Sequence, residues 1–152
     1  MSEHTKVSPS MLYRVYDVAN DQLRCPACVH LCEGLEEETS VYAQEGTDAH
    51  ELAASILEGK VKSCNNAAVN EYVAFVMGEF EAMSALDEAT MYVEQNYSLG
   101  FLYPGMRGTA DCVIATPDDE LLVNDYKHGK GVAVDVEYNP QLLSYAYGAY
   151  HE

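Results

Sequence analysis

A chain of 152 residues, 48% hydrophobic and 22% charged, is long enough for one compact core, too short for two domains of ordinary size, and too apolar for an intrinsically disordered chain. With 8 Lys and Arg against 25 Asp and Glu, its formal net charge is -17, a surface that repels phosphate unless a small basic patch or a bound cation reverses the field locally. No stretch approaches the roughly 20 apolar residues that span a bilayer, and Met1 to Ser10 lacks the basic start and apolar run of a secretory signal, so a cytoplasmic setting is expected.

Taken in chain order, Ser8-Pro9-Ser10 opens a first helix, with Ser8 as N-cap, Pro9 at the first helical position and a stripe of Leu12, Val15, Tyr16 and Ala19. Cys25 to Thr39 reads as a short helix or irregular segment that ends in the solvated acidic run Glu36-Glu37-Glu38. Its Cys25-x2-Cys28-x3-Cys32 spacing offers three metal donors, but a closed zinc site needs four, and Cys64 and Cys112 lie far along the chain. If Pro26 starts a helix, Cys28 and Cys32 share one face as small buried hydrophobes, so reduced, metal-free thiols are expected.

A second helix is predicted from Thr47, as N-cap, to about Glu58, with Gly59 as the stop and His50 in the first turn. From Ala67 to Leu86, Val69, Val73, Val76, Phe80 and Met83 recur at helical spacing and mark the clearest amphipathic helix. Three strands follow, over Met91 to Tyr97, Gly108 to Ala115 and Glu120 to Lys127. Asn139-Pro140 repeats the N-cap and proline pattern before a last helix from Gln141 to Tyr150.

The second and third strands carry the chemistry. Thr116-Pro117-Asp118-Asp119 is a turn signal, and a hairpin centred near Asp118 places Asp111 opposite Asp125, with Cβ atoms roughly 5 Å apart. Alternation along the strand puts Lys127 on that same face. Two carboxylates so close repel unless a cation neutralises them, and hard oxygen donors suit magnesium or manganese. Such an ion activates water and polarises a phosphoryl oxygen, while an ammonium stabilises charge developing on the phosphate. Asp-x-Lys alone is an ordinary exposed ion pair.

Four motifs in order add to it: Gly46-Thr-Asp-Ala-His50, Gly108-Thr-Ala-Asp111, Asp125-Tyr-Lys127 and Gln141-Leu-Leu-Ser-Tyr145. Together they resemble the RecB-like PD-(D/E)XK nucleases over nearly the whole chain. Ser8-Pro-Ser10, Glu45-Gly-Thr-x-Ala-His50-Glu-Leu and Asp125-Tyr-Lys-x-Gly-Lys-Gly131 are similar to phage- and prophage-associated members. The resemblance implies that His50, Asp111, Asp125 and the backbone carbonyl of Tyr126 hold the metal, that Lys127 is the catalytic lysine, and that Gln141 and Tyr145 position substrate or water. Lys130 and Arg107 are candidate phosphate contacts, and Glu94 is a candidate accessory acid, although an exposed strand carboxylate is its ordinary reading. Iron-sulfur members of the wider family place three of their four cysteines after the core, a pattern this chain departs from, so neither that cluster nor zinc is expected.

The expectation is therefore one α/β domain over 1–152, a helical part at 1–45 and a core at 46–152. That core is a restriction-endonuclease-like PD-(D/E)XK fold with a small mixed sheet flanked by helices and lacking the final strand. The expected function is a magnesium- or manganese-dependent deoxyribonuclease, an exonuclease acting on DNA in phage recombination, repair or replication. An open sheet edge and Leu142, Leu143, Tyr147 and Tyr150 on the last helix predict self-association or a protein partner completing the sheet. The alternative is a catalytically silent, nuclease-like acidic protein that binds a host or phage protein by mimicking DNA.

Overall fold

Apolar spacing sets the two long helices. The computed structural model of the chain describes residues 7–25, 27–31, 41–129 and 135–152. These residues fall in two compact units, one built from 1–37, 96–109 and 133–152, the other from 38–95 and 110–132.

In the second unit, α3 (Val41–Leu57) and α4 (Ala67–Leu86) pack together. Ala49, Ala53 and Leu57, four residues apart, form the buried stripe of α3, and Val69, Val73 and Val76 form that of α4. Small alanines on one helix facing β-branched valines on the other allow the axes to approach. Gly59 ends α3 as expected, with φ at 73° and its amide bonded to the Ile56 carbonyl at 2.9 Å. Asn66 caps α4, its side chain accepting from the amides of Ala68 and Val69. The predicted stripe of α4 continues in Phe80 and Met83, both packed on this core.

The strands β3 (Thr90–Ser98), β4 (Arg107–Ala115) and β5 (Leu121–Asn124) hydrogen-bond in that order. Pairing between β4 and β5 is antiparallel, from Ala115 opposite Leu121 to Cys112 opposite Asn124, the register expected from the Thr116 turn. Thr116 and Glu120 close that turn, with Asp119 in the left-handed region at φ 62°. The third strand is shorter than predicted, because pairing stops at Asn124 and Asp125, Tyr126 and Lys127 follow it as irregular chain. Cys112 and Ile114 join the core of the two helices. The architecture is α/β with small antiparallel pairings, where the sequence suggested a mixed sheet.

The first unit opens differently from its prediction. A 3-10 turn (Pro9–Met11) leads into α1 (Leu12–Val15), and the chain then forms a hairpin of β1 (Tyr16–Asp17) and β2 (Gln22–Leu23), with Tyr16 opposite Leu23. Tyr16 and Ala19 are thus not helical. The Asp17 carboxylate accepts from the amide and side chain of Asn20 and pairs with Arg24 at 2.6 Å, and this turn chemistry outcompetes the helical stripe. Ser8 precedes the turn as expected, but its hydroxyl meets that of Ser10 instead of capping an amide. A short α2 (Cys28–Leu31) follows, and α5 (Pro140–His151) closes the unit, capped by Asn139 through the amides of Gln141 and Leu142. Cys25 and Cys28 are half-buried, while Pro26 and Cys32 lie outside the described residues.

Gly108 shows how closely this unit packs. A methyl group built there would meet Pro9 Cγ at 2.5 Å and Tyr145 Cε1 at 2.8 Å. Gly108→Ala is therefore expected to destabilise the fold by about 1–3 kcal/mol through overpacking, read as a lower urea midpoint at unchanged m-value. A midpoint equal to wild type would show that Pro9 and Tyr145 yield freely.

Candidate metal centre

His50 does not lie in a first helical turn. Because α3 is already under way at Val41, Thr47 is interior and its hydroxyl bonds back to the Ala43 carbonyl at 3.1 Å, and His50 sits in the body of the helix. One residue after buried Ala49, it is half-buried at the edge of the core. Its Nδ1 lies 3.1 Å from Asp111 Oδ1. The other carboxylate oxygen, Asp111 Oδ2, accepts from the Tyr126 amide at 2.6 Å. Asp111 and Asp125 would be the next pair of the β4–β5 ladder after Cys112 and Asn124; there the Asp111 side chain takes an amide of the departing chain.

Glu94 completes the cluster. Donor atoms of His50, Glu94 and Asp111 all lie within 4.8 Å of one another, and among the described residues this is the group of His, Cys, Asp and Glu with metal-like spacing. Glu94 is exposed and stands within β3 with φ at 50°, a left-handed conformation that costs a non-glycine residue on the order of 1 kcal/mol or more. It is an exposed strand carboxylate, as the sequence suggested; its left-handed backbone and its nearness to His50 and Asp111 carried no signal in Met91 to Tyr97.

Asp125 is placed beside this cluster with a different partner. Its Oδ2 forms an ion pair with Lys127 Nζ, the lysine side chain half exposed and the aspartate side chain buried. Tyr126, between them, is buried; its ring stacks on Tyr72 and meets His50, and its hydroxyl meets His128 Nδ1 at 2.9 Å. A cleft of about 320 Å³ beside α3 is lined by Glu45, Asp48, Ala49, Leu52, Asn66 and His128. His128 carried no signal in the sequence.

The remaining candidates have other surroundings. Gln141 and Tyr145 belong to the first unit, where Gln141 Nε2 donates to the Tyr145 hydroxyl at 3.2 Å and the Tyr145 ring packs on the Gly108 backbone. Arg107, in the same unit, is exposed and donates through Nε to Asn96 Oδ1 at 3.1 Å. Lys130 lies outside the described residues.

Crowded carboxylates leave an electrostatic mark. Partial burial, then the nearby Asp111 charge, raises the Glu94 carboxyl above its ordinary range, with His50 opposing. Burial raises Asp125, against the lowering by Lys127, and Asp111 adds to the rise. The hydrogen bond to Asp111 raises His50 despite its burial. Burial and the Asp111 charge push the Cys112 thiol up to about 12, so it stays protonated and unreactive at neutral pH.

All three site shifts bind protons more tightly in the folded state, so each favours folding on the acid side. The His50 contribution is complete below its unfolded pKa of about 6.5 and is lost as pH rises through its higher folded value; the two carboxyls lose theirs from about pH 4 upward. Metal-free protein should therefore lose stability from pH 5 to pH 8 in urea titrations. Bound divalent metal should reverse this trend, because its ligands must be deprotonated. A metal-free stability that climbs over that range would contradict the assigned shifts.

The donor set fits a small divalent cation. Magnesium and manganese hold ligands at about 2.1 Å, so donors opposite one another stand about 4.2 Å apart, and a 4.8 Å spread closes with sub-ångström adjustment. The two carboxylates supply the hard, anionic donors such an ion prefers, and the neutral His50 imidazole adds a borderline nitrogen donor that suits manganese better than magnesium.

A family model described as "Protein of unknown function (DUF2800)" matches residues 16–70 and 64–152. The chain belongs to the DUF2800 family. The matched segments contain every residue of the candidate centre, from His50 to Lys127. No solved structure matches the chain.

Proposed function

We propose that this DUF2800 chain is a divalent-metal-dependent deoxyribonuclease with a RecB-like PD-(D/E)XK core, acting as an exonuclease on DNA in a phage setting. The observation that carries this reading is the convergence of His50, Glu94 and Asp111 donors within 4.8 Å, beside the Asp125–Lys127 ion pair. His50, Glu94 and Asp111 would hold magnesium or manganese, with the Tyr126 carbonyl that the resemblance adds. A bound ion supplies an activated water and Lewis-acid stabilisation of the phosphoryl oxygens.

The protein's own groups do the rest. Lys127 presents a point positive charge to the scissile phosphate, and Asp125 holds that ammonium in place. The motif resemblance gives Gln141 and Tyr145 a role in positioning substrate, and Arg107 and Lys130, as two of the few cations of the chain, are the proposed phosphate contacts. Since the chain carries a formal charge of -17, phosphate attraction has to come from these few cations and the metal.

The same charge favours a second reading, an acidic protein that engages a partner protein by DNA mimicry without cleaving. Incubation with linear and circular duplex DNA in magnesium, manganese or EDTA separates them. The nuclease reading expects metal-dependent degradation of the linear form, with circular DNA spared if an end is required. Intact DNA under every metal condition would leave the binding reading.

A further inference from the structure

Several contacts converge on one side chain that the proposed reaction leaves unused. The Tyr126 ring stacks on Tyr72, with centroids 4.7 Å apart and planes inclined by 27°. It also lies 5.3 Å from the His50 imidazole, inclined by 56°. The hydroxyl is held by His128 Nδ1 at 2.9 Å, and the Tyr126 amide bonds Asp111 Oδ2 at 2.6 Å. The residue is only 7% exposed.

We propose that Tyr126 is a positioning residue of the metal centre, its ring fixing the His50 imidazole while its amide fixes the Asp111 carboxylate. An imidazole on a helix can rotate about two side-chain bonds, and one hydrogen bond to Asp111 leaves the ring plane free to tilt. An aromatic wall at 5.3 Å removes that freedom only if the wall is itself immobile. Burial and the stacked Tyr72 behind the ring supply the immobility, and the His128 contact at the hydroxyl adds to it. Ligands must sit within about 0.5 Å of their working positions for a centre to function, which is why groups that orient ligands affect metal affinity nearly as much as the ligands do. Two of the three donor residues, from α3 and from β4, are thereby indexed to one buried residue that follows β5. Because an amide is present whatever the side chain, substitution isolates the ring's effect on His50.

This inference rests on the metal reading, and the test separates the two. Calorimetric titration with Mn2+ is compared for wild type, Tyr126→Phe, Tyr126→Leu and Val76→Ala, the last removing buried core volume from α4. Tyr126→Leu should weaken Mn2+ binding about 10- to 100-fold, the range for residues that orient metal ligands. Tyr126→Phe, which keeps the ring, should stay within about 3-fold of wild type, and Val76→Ala should do so despite its lower melting temperature. Tyr126→Leu within 3-fold of wild type, or Tyr126→Phe or Val76→Ala as weak as Tyr126→Leu, overturns the proposal. A second readout is the His50 side-chain NMR signal in metal-free protein, expected to report a fixed ring in wild type and Tyr126→Phe and an averaging ring in Tyr126→Leu. Wild type that binds no Mn2+ sinks the metal reading, and the positioning role then stands or falls on the NMR comparison alone.

Discussion

Lys127→Ala should leave Mn2+ affinity within about 3-fold of wild type and cut DNA cleavage by about 100-fold or more, the usual cost of removing one group that stabilises transition-state charge. A lysine ammonium donates no electron pair in its charged form, so it is not a ligand; its contribution is a positive charge beside the phosphate. That charge acts more strongly on the transition state than on bound substrate, which places the loss in kcat more than in KM. The variant should still fold, because the Lys127 side chain is half exposed and Asp125, already raised by burial, takes up a proton more readily once its partner is gone. Full cleavage by Lys127→Ala would remove the lysine from the reaction. Parallel loss of cleavage and metal affinity would make Lys127 a support of the centre instead.

Glu94→Gln should weaken Mn2+ binding by about 10- to 100-fold, whereas Asp125→Asn should change it by about 3-fold or less. The two substitutions are matched chemically, each replacing a carboxylate by its amide. They differ in geometry: the Glu94 carboxylate shares the 4.8 Å cluster with His50 and Asp111, while Asp125 is engaged by Lys127. Glu94 also holds a left-handed backbone within a strand, at an energetic cost that a merely solvated carboxylate would have no reason to bear. The reverse ranking, measured by calorimetry, would restore the ligand set that the motif resemblance implies and make Glu94 a bystander.

Much of the second unit, and the start of the last helix in the first, was legible in the sequence. The α4 stripe, the glycine stop of α3, the Asn139 cap and the β4–β5 register all follow from local chemistry that no distant contact overrides. The register brought Asp111 and Asp125 into one neighbourhood on turn position alone. Failures came where a competing local interaction won. Tyr16 left its helical stripe because Asp17 and Asn20 form a turn, and Thr47 failed as a cap because α3 reaches back to Val41. The third strand ended early where Asp111 takes the Tyr126 amide. Glu94 was hardest to read, since strand alternation marks it only as an exposed residue and gives no sign of the His50 and Asp111 side chains brought to it from other elements. The tyrosine pair beneath His50 was invisible for another reason: Tyr72 and Tyr126 are 54 positions apart, and only the packing of α4 against the chain after β5 brings them together.

A divalent cation held by Asp111 is the core of the proposed chemistry, and its most direct measurement is a calorimetric titration of wild type and Asp111→Asn with Mn2+. The amide is nearly isosteric and still accepts from Tyr126, so the fold should persist while the anionic donor shared with His50 is lost. Wild type should bind one ion, and at 100 times the dissociation constant that ion should add about 2.7 kcal/mol of stability by mass action. Asp111→Asn should bind at least about 100-fold more weakly and show no such gain, a loss comparable to that of a ligand itself. Equal Mn2+ binding by the two proteins would contradict the metal centre and, with it, the nuclease built on it.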